Sequence, residues 1–134
     1  MSADNLSFLS NHPDILCGAP LRDTEYRLYK MSLKTEKFPD LPDDYWQVMG
    51  QINGLSYNGA QIYGISPTVR AFKDMRDVNQ KIKHPSLLFL GESADDWLVY
   101  DSEDGEFKIM DKYDNLIWKH TPSFALALRH LLQI

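Results

Sequence analysis

The sequence predicts an α+β fold, with helices first, a run of strands in the second half and one helix at the end. Apolar residues recur at helical spacing before residue 53, the period falls towards two after it, and a helical pattern returns after residue 121. The composition, 43% hydrophobic and 25% charged over 134 residues, is that of a globular protein. We therefore expect one domain, spanning residues 1–134, with its own hydrophobic core.

Three helices are predicted in the first part of the chain. A short apolar helix is expected to end at His12-Pro13. Asp23 is expected to cap a second helix that reaches Leu33. The third helix has Pro42 in its first turn and is expected to stop at Asn53-Gly54, because both residues tolerate the left-handed conformation of a C-cap. Its predicted apolar face consists of Tyr45, Val48, Met49 and Ile52.

A hairpin and one further helix are expected in the middle of the chain. Leu55–Tyr57 and Ala60–Ile65 are predicted to pair around a primed turn at Asn58-Gly59. After Ser66-Pro67, a helix is expected over Val69–Ile82, although Asn79 interrupts its apolar stripe.

The last third of the chain is predicted to form a curved, largely antiparallel sheet and a closing helix. Because the connections are short, the strands are expected to form an antiparallel meander of three to four strands. The predicted strands are Leu87–Gly91, Trp97–Asp101, Glu106–Met110 and Leu116–Lys119. Thr121-Pro122 is expected to cap and start the final helix. The residues of that helix predicted to face inward are Phe124, Ala125, Leu128, Leu131 and Leu132.

The sequence contains no recognisable catalytic or metal-binding motif. Cys17 has no adjacent base and is interpreted as a small buried or half-buried thiol in a loop. Ser93 lacks the following glycine of a nucleophile elbow, and the four histidines lack zinc spacing. Asp101–Gly105 departs from the calcium-loop pattern and is interpreted as a hairpin turn. We therefore expect a protein that is not an enzyme and binds no cofactor or metal.

Net charge and hydropathy limit the classes of partner expected for this protein. Nineteen acidic and fourteen basic residues leave a formal charge of −5, which disfavours a nucleic-acid partner and favours a basic protein. No apolar run approaches the ~20 residues that span a bilayer, so no membrane association is expected. The N-terminal residues lack the basic start of a secretory signal, and a single cysteine suits a reducing compartment. These features predict a cytoplasmic protein, and they leave its oligomeric state open.

One segment is unusually acidic. Seven acidic residues and no basic residue occur between Glu92 and Glu106. One interpretation is a docking edge for a basic partner, with Trp97 or Tyr100 as an aromatic anchor. The other is a solvated loop face, since turns favour Asp and Glu. The predicted partner-binding residues are Glu92, Asp95, Asp96, Trp97, Tyr100, Asp101, Glu103 and Asp104. The milder basic stretch over 70–83 is interpreted as a solvated helix face.

An ordered set of short motifs resembles a known family. Leu41-Pro42-Asp43-Asp44-Tyr45, then Gln51-Ile52-Asn53-Gly54, then Tyr57-Asn58-Gly59 resemble the core of the SUKH superfamily, and within it most closely the YrhA family. The resemblance continues through Tyr63-Gly64-Ile65 and the later strands to the closing helix, and covers most of residues 5–132.

The resemblance implies an α+β fold with a mixed, curved sheet and flanking helices. It also implies a cytoplasmic immunity protein that binds and neutralises a polymorphic toxin. Two alternatives remain open: a regulatory or scaffold protein of the same fold without a toxin target, and, more remotely, a small enzyme or metal-binding protein. The resemblance supplies no catalytic or partner-binding residue. Glu92–Asp96 replaces a glycine-rich segment of relatives, so no toxin class is transferred.

Overall fold

Helices surround one antiparallel sheet in the computed structural model, which describes residues 3–65 and 72–134. A 3-10 helix over Ala3–Asn11 opens this part of the chain. The α-helices are α1 (Asp23–Thr35), α2 (Asp43–Met49), α3 (Met75–Ile82) and α4 (Phe124–Leu132). The strands are β1 (Leu16–Cys17), β2 (Leu55–Tyr57), β3 (Ala60–Ile62), β4 (Leu87–Glu92), β5 (Asp96–Asp101), β6 (Glu106–Asp111) and β7 (Ile117–Thr121).

The strands follow one another across the sheet in chain order, from β1 to β7. Every neighbouring pair is antiparallel, and the sheet is curved without closing into a barrel. This confirms the α+β class and the late meander, which extends to all seven strands of the described residues. The mixed sheet implied by the family resemblance is wrong there, since the parallel pairing is confined to an isolated bridge between Gly64 and Asp74.

Local turn chemistry sets the hairpins. Asn58 and Gly59 have φ angles of 50° and 81°, which are the two left-handed conformations of a type I′ turn. The predicted β2–β3 hairpin is therefore confirmed, with β3 ending earlier, at Ile62. Gly105 and Asn115 adopt φ angles of 74° and 62° in the later turns. The four predicted late strands are confirmed to within two residues at each end.

The predicted helix caps are less accurate than the helices. Asp23 is the first residue of α1 and does not cap it, because the N-cap position is Arg22. The Asp23 carboxylate instead lies 3.1 Å from Nε of Arg27, one turn along. Similarly, the N-cap of α4 is Ser123, not Thr121-Pro122, and its hydroxyl accepts the N–H of Leu126 at 3.2 Å.

Helix α2 begins after Pro42 and buries its predicted apolar face, but it ends at Met49. The prediction that Asn53-Gly54 stops it is wrong. Asn53 is fully buried, and its Oδ1 accepts the N–H of Ile65 at 2.7 Å. Gly54 has the expected positive φ of 87°, in the turn that leads into β2. These two residues therefore shape the connection to the sheet.

Helix α3 begins at Met75, later than predicted. The expected start at Val69 lies outside the described residues, and Phe72–Asp74 are not helical. Asp74 caps the helix by accepting the N–H groups of Arg76 and Asp77 at 3.0 and 3.2 Å. The Tyr29 hydroxyl also donates to Asp74, at 2.9 Å, and so links α1 to α3.

The core lies between the sheet and helices α2 and α4. The ring of Phe124 lies 4.9 Å from that of Tyr45 and 5.2 Å from that of Phe107, which belongs to β6. All five residues of α4 that were predicted to face inward are buried. Since Tyr100 pairs with Phe107 in register, both point to the face covered by α4, and Trp97, Val99 and Asp101 point to the other face.

Candidate protein-binding surface

Strand β5 divides the acidic segment into two groups. Glu92, Asp95 and Asp96 lie at its start, whereas Asp101, Glu103, Asp104 and Glu106 lie at its end. A six-residue strand spans roughly 17–20 Å, so the two groups do not form one patch. Lysines from outside the segment also lie among these acids. A count of charges along the sequence could not show this, because it included only residues 92–106.

Glu92 is a structural residue in the centre of an ion network. Its carboxylate accepts hydrogen bonds from Tyr63 at 2.8 Å and from Lys73 and Lys112 at 2.9 Å each. Burial by itself would raise the pKa of Glu92, but these three hydrogen bonds outweigh it and lower the pKa to about 2. Its charge is therefore neutralised within the fold and is not available to a partner.

The two predicted aromatic anchors have different environments. Tyr100 is 8% exposed and packs against Phe107, so it belongs to the core. Trp97 is half-buried on the opposite face, where its ring lies 5.2 Å from that of Phe89. The Lys112 ammonium group lies 5.8 Å from the Trp97 ring. Neither ring is a freely exposed anchor.

At the β5–β6 end, which we define as Asp101–Glu106, lysine again neutralises acid. Nζ of Lys108 lies 2.9 Å from Asp101 and 2.6 Å from Asp104, and its hydrogen bond lowers the pKa of Asp104. Glu106 contacts Nδ1 of His120. Glu103 is exposed and forms no ion pair with the described residues.

At the other end of β5, a second turn meets the acidic one. The backbone N–H of Lys112 donates to the carbonyl of Asp95 at 2.8 Å, and the Trp118 indole donates to Asp96 at 3.0 Å. Asp111 and Asp114 stabilise the β6–β7 turn by accepting backbone N–H groups. None of these four carboxylates forms an ion pair with the described part of the chain.

Four large apolar side chains are exposed in this second turn and the strand after it. The exposed fractions are 81% for Tyr113, 67% for Leu116, 45% for Ile117 and 50% for Trp118. Together with the four unpaired carboxylates they form one surface, which we name the acidic–aromatic corner. Its residues are Asp95, Asp96, Asp111, Tyr113, Asp114, Leu116, Ile117 and Trp118.

A cleft lies beside the corner. It has a volume of about 260 Å³ and lies between the β2–β3 turn, the β4–β5 turn and the end of α4. Asp95 and Asp96 line it on one side, Tyr57 and Asn58 on another, and Leu131 contributes an apolar wall. The corner therefore presents both projecting side chains and a recess.

The sequence predicted two members of this corner, Asp95 and Asp96. Tyr113 was missed because it lies in a turn, and Leu116, Ile117 and Trp118 were missed because an apolar strand is ordinarily buried. Their exposure results from the position of β7 at the edge of the sheet, which depends on the order of all seven strands. The run Leu116-Ile117-Trp118, without polar alternation, was the available signal.

Cys17 lies at the opposite edge of the sheet. It is exposed in β1, so the predicted buried or half-buried thiol in a loop is wrong. Desolvation raises the pKa of its thiol, which disfavours the reactive thiolate. Within residues 3–65 and 72–134, no group of three or more His, Cys, Asp or Glu side chains is arranged to hold a metal ion. No described helix combines the length and apolar character needed to cross a membrane.

Comparison with known proteins found no match, either among family models or among curated protein sequences.

Proposed function

We propose that this protein is a non-enzymatic binding module that acts in the cytoplasm, and that it is an immunity protein covering a basic toxin domain. The acidic–aromatic corner carries the binding proposal. The immunity role is an expectation from the resemblance of its helix and hairpin motifs to the SUKH and YrhA families.

The corner has the composition of an interface. Tyrosine and tryptophan are the residues that most often dominate binding energy, and a polar rim usually surrounds them. Here Tyr113 and Trp118 are exposed next to carboxylates that the described residues leave unpaired. The neighbouring Glu92 is already neutralised by two lysines, so Asp95, Asp96, Asp111 and Asp114 dominate the local charge.

The charge identifies the kind of partner. Unpaired carboxylates attract a basic surface and increase the association rate more than the final affinity. A stable complex would bury about 800 Å² on each partner, so the contact has to extend beyond the corner. The cleft beside Asp95 and Asp96 provides part of that area.

The test is capture of a partner followed by a neutralisation assay. Wild-type protein and a Tyr113→Ser, Trp118→Ala double variant are used as baits in lysate of the source organism. We expect one stoichiometric partner on the wild-type bait and much less on the variant. Expression of that partner should arrest growth, and co-expression of the wild-type protein should restore it.

A partner that does not affect growth would contradict the immunity role. It would favour the alternative of a regulatory or scaffold protein with the same fold. Equal recovery of a toxic partner on both baits would keep the immunity role and remove the corner from the interface.

A further inference from the structure

We propose that the partner binds by strand addition, with an extended basic segment pairing along the free edge of β7. This inference rests on the proposed function, because it specifies how the corner and the strand beside it are used.

The edge of β7 is available for pairing. β7 is the last strand of the sheet, and no strand of the described residues lies on its outer side. Four of its five residues are exposed. Edge strands carry unpaired backbone N–H and C=O groups that another chain can pair with. Lys119–Thr121 stay in regular register with β6, and Trp118 is the extra residue of a bulge.

Acidic groups lie at both ends of this edge. The corner contributes Asp96, Asp111 and Asp114 at the start of β7. At its other end Thr121 pairs with Phe107, so Glu106 is adjacent, with the exposed Glu103 beyond it, whereas Asp101 and Asp104 are already neutralised by Lys108. A five-residue strand spans roughly 17 Å. The complementary segment therefore has a lysine or arginine at each end of about five residues, with apolar or β-branched residues between them.

A second copy of this chain fits the edge poorly. Two copies related by a two-fold axis would pair β7 antiparallel, which places the corner of each copy beside the β5–β6 end of the other. Acidic groups would then face acidic groups, which is destabilising. The bulge at Trp118 and the charge of Lys119 also belong to the features that discourage indiscriminate pairing of edges.

The experiment uses three synthetic peptides with the full-length protein at low ionic strength. The first has five alternating valines and threonines between two lysines. The second is the same peptide with alternate backbone amides N-methylated, and the third has glutamates in place of the lysines. Binding is followed by amide chemical shifts and by hydrogen exchange of residues 117–121.

We expect the lysine peptide to bind and to slow amide exchange in β7. The N-methylated peptide should bind about tenfold more weakly, since it loses backbone hydrogen bonds, and the glutamate peptide should not bind. Asp114→Asn should weaken binding of the lysine peptide, whereas Asp40→Asn, which changes an exposed acid in the loop between α1 and α2, should not.

Two results would overturn strand addition. One is equal binding of the methylated and unmethylated lysine peptides, with shifts confined to the acidic turns. The other is no peptide binding at β7 at all. If the captured partner still depends on Tyr113 and Trp118 while the peptides leave β7 unprotected, the proposed function stands and strand addition is wrong.

Discussion

One carboxylate, that of Glu92, joins three parts of the molecule. Tyr63 follows β3, Lys73 precedes α3, and Lys112 lies in the turn between β6 and β7, and all three donate to Glu92. The Lys112 contact ties the β6–β7 turn to β4. Because this turn carries Tyr113, Glu92 also positions the acidic–aromatic corner.

We predict that Glu92→Gln destabilises the protein and changes its pH dependence. The pKa of about 2 lies below the ordinary 4.5, so the carboxylate stabilises the fold above about pH 4.5 and this contribution is lost as the pH falls through 2. Because Glu92 is only partly buried and solvent screens its ion pairs, the loss at neutral pH should be about 1–2 kcal/mol, and it should disappear at strongly acid pH. Urea denaturation over a pH series measures it.

The control for this prediction is Glu103→Gln, an exposed acid without an ion pair in the described residues. We expect it to change the free energy of unfolding by less than about 0.5 kcal/mol at any pH. If the two variants were equally stable throughout the series, Glu92 would have no structural role.

Asn79 is the second residue whose role depends on distant contacts. It is 2% exposed, and its side chain donates to the carbonyls of Met75 and Phe89 and accepts the N–H of Phe89, each at 2.8 Å. The residue that interrupts the apolar stripe of α3 therefore binds this helix to β4.

We predict that Asn79→Ala lowers the free energy of unfolding by about 2–4 kcal/mol, because it leaves buried backbone groups of Phe89 without partners. Lys81→Ala, in the exposed part of the same helix, is the control and should cost less than about 0.5 kcal/mol. Chemical denaturation of both variants gives the comparison. A small effect at Asn79 would show that water replaces the amide.

Strand β4 has no room for a larger residue at Gly91. A Cβ atom on Gly91 would lie 2.7 Å from the backbone oxygen of Gln61 and 2.7 Å from Cδ1 of Ile62. Gly91 also lies at the irregularity in the pairing of β4 with β5. The close approach of β3 to β4 therefore requires glycine at this position.

We predict that Gly91→Ala destabilises the protein by more than about 2 kcal/mol, since the backbone of β3 has to move. Gly59→Ala, at the tip of the hairpin turn, should cost only about 1 kcal/mol, because its φ of 81° is unfavourable for alanine but no atom lies within 4 Å. Thermal unfolding of the two variants measures the loss of stability at each position. An equal cost at both positions would contradict the steric account.

Elements were predictable from sequence where local chemistry determines them. The turn at Asn58-Gly59, the strands of the meander and the buried face of α4 depend on neighbouring residues and were predicted. The end of α2 at Met49 was not predicted, because Asn53, which was expected to stop the helix, is instead buried and accepts the N–H of Ile65 across the fold. The start of α3 depends on Asp74 and its contact with Tyr29 of α1, which no local pattern reveals.

For the molecule as a whole, the distribution of charge and exposed apolar surface depends on topology. The acidic segment was visible in the sequence, but its division by β5 and its neutralisation by Lys108 and Lys112 were not. The corner forms because the antiparallel meander brings the β4–β5 and β6–β7 turns to the same end of the sheet. The part of the site found from sequence is accordingly Asp95 and Asp96.

We predict that the corner can be altered without unfolding the molecule. Tyr113 is 81% exposed, but Trp118 is half-buried and donates a hydrogen bond to Asp96, so Tyr113→Ser together with Trp118→Ala should lower the free energy of unfolding by about 2 kcal/mol. Near-identical circular dichroism spectra and a cooperative urea transition at a moderately lower midpoint would establish this. A large loss of stability would mean that the pair supports the β6–β7 hairpin and would disqualify the variant as a binding probe.

The most direct test of the binding surface is the association rate with the captured partner, measured over a range of ionic strength. We predict that Asp95→Asn together with Asp114→Asn slows association several-fold at low salt and flattens its salt dependence. The matched control is Asp40→Asn with Asp43→Asn, which removes the same charge from exposed positions at or just before the start of α2 that do not line the cleft, and it should behave like the wild type. Equal rates for the two double variants at every salt concentration would contradict the central claim that the acidic–aromatic corner meets the partner.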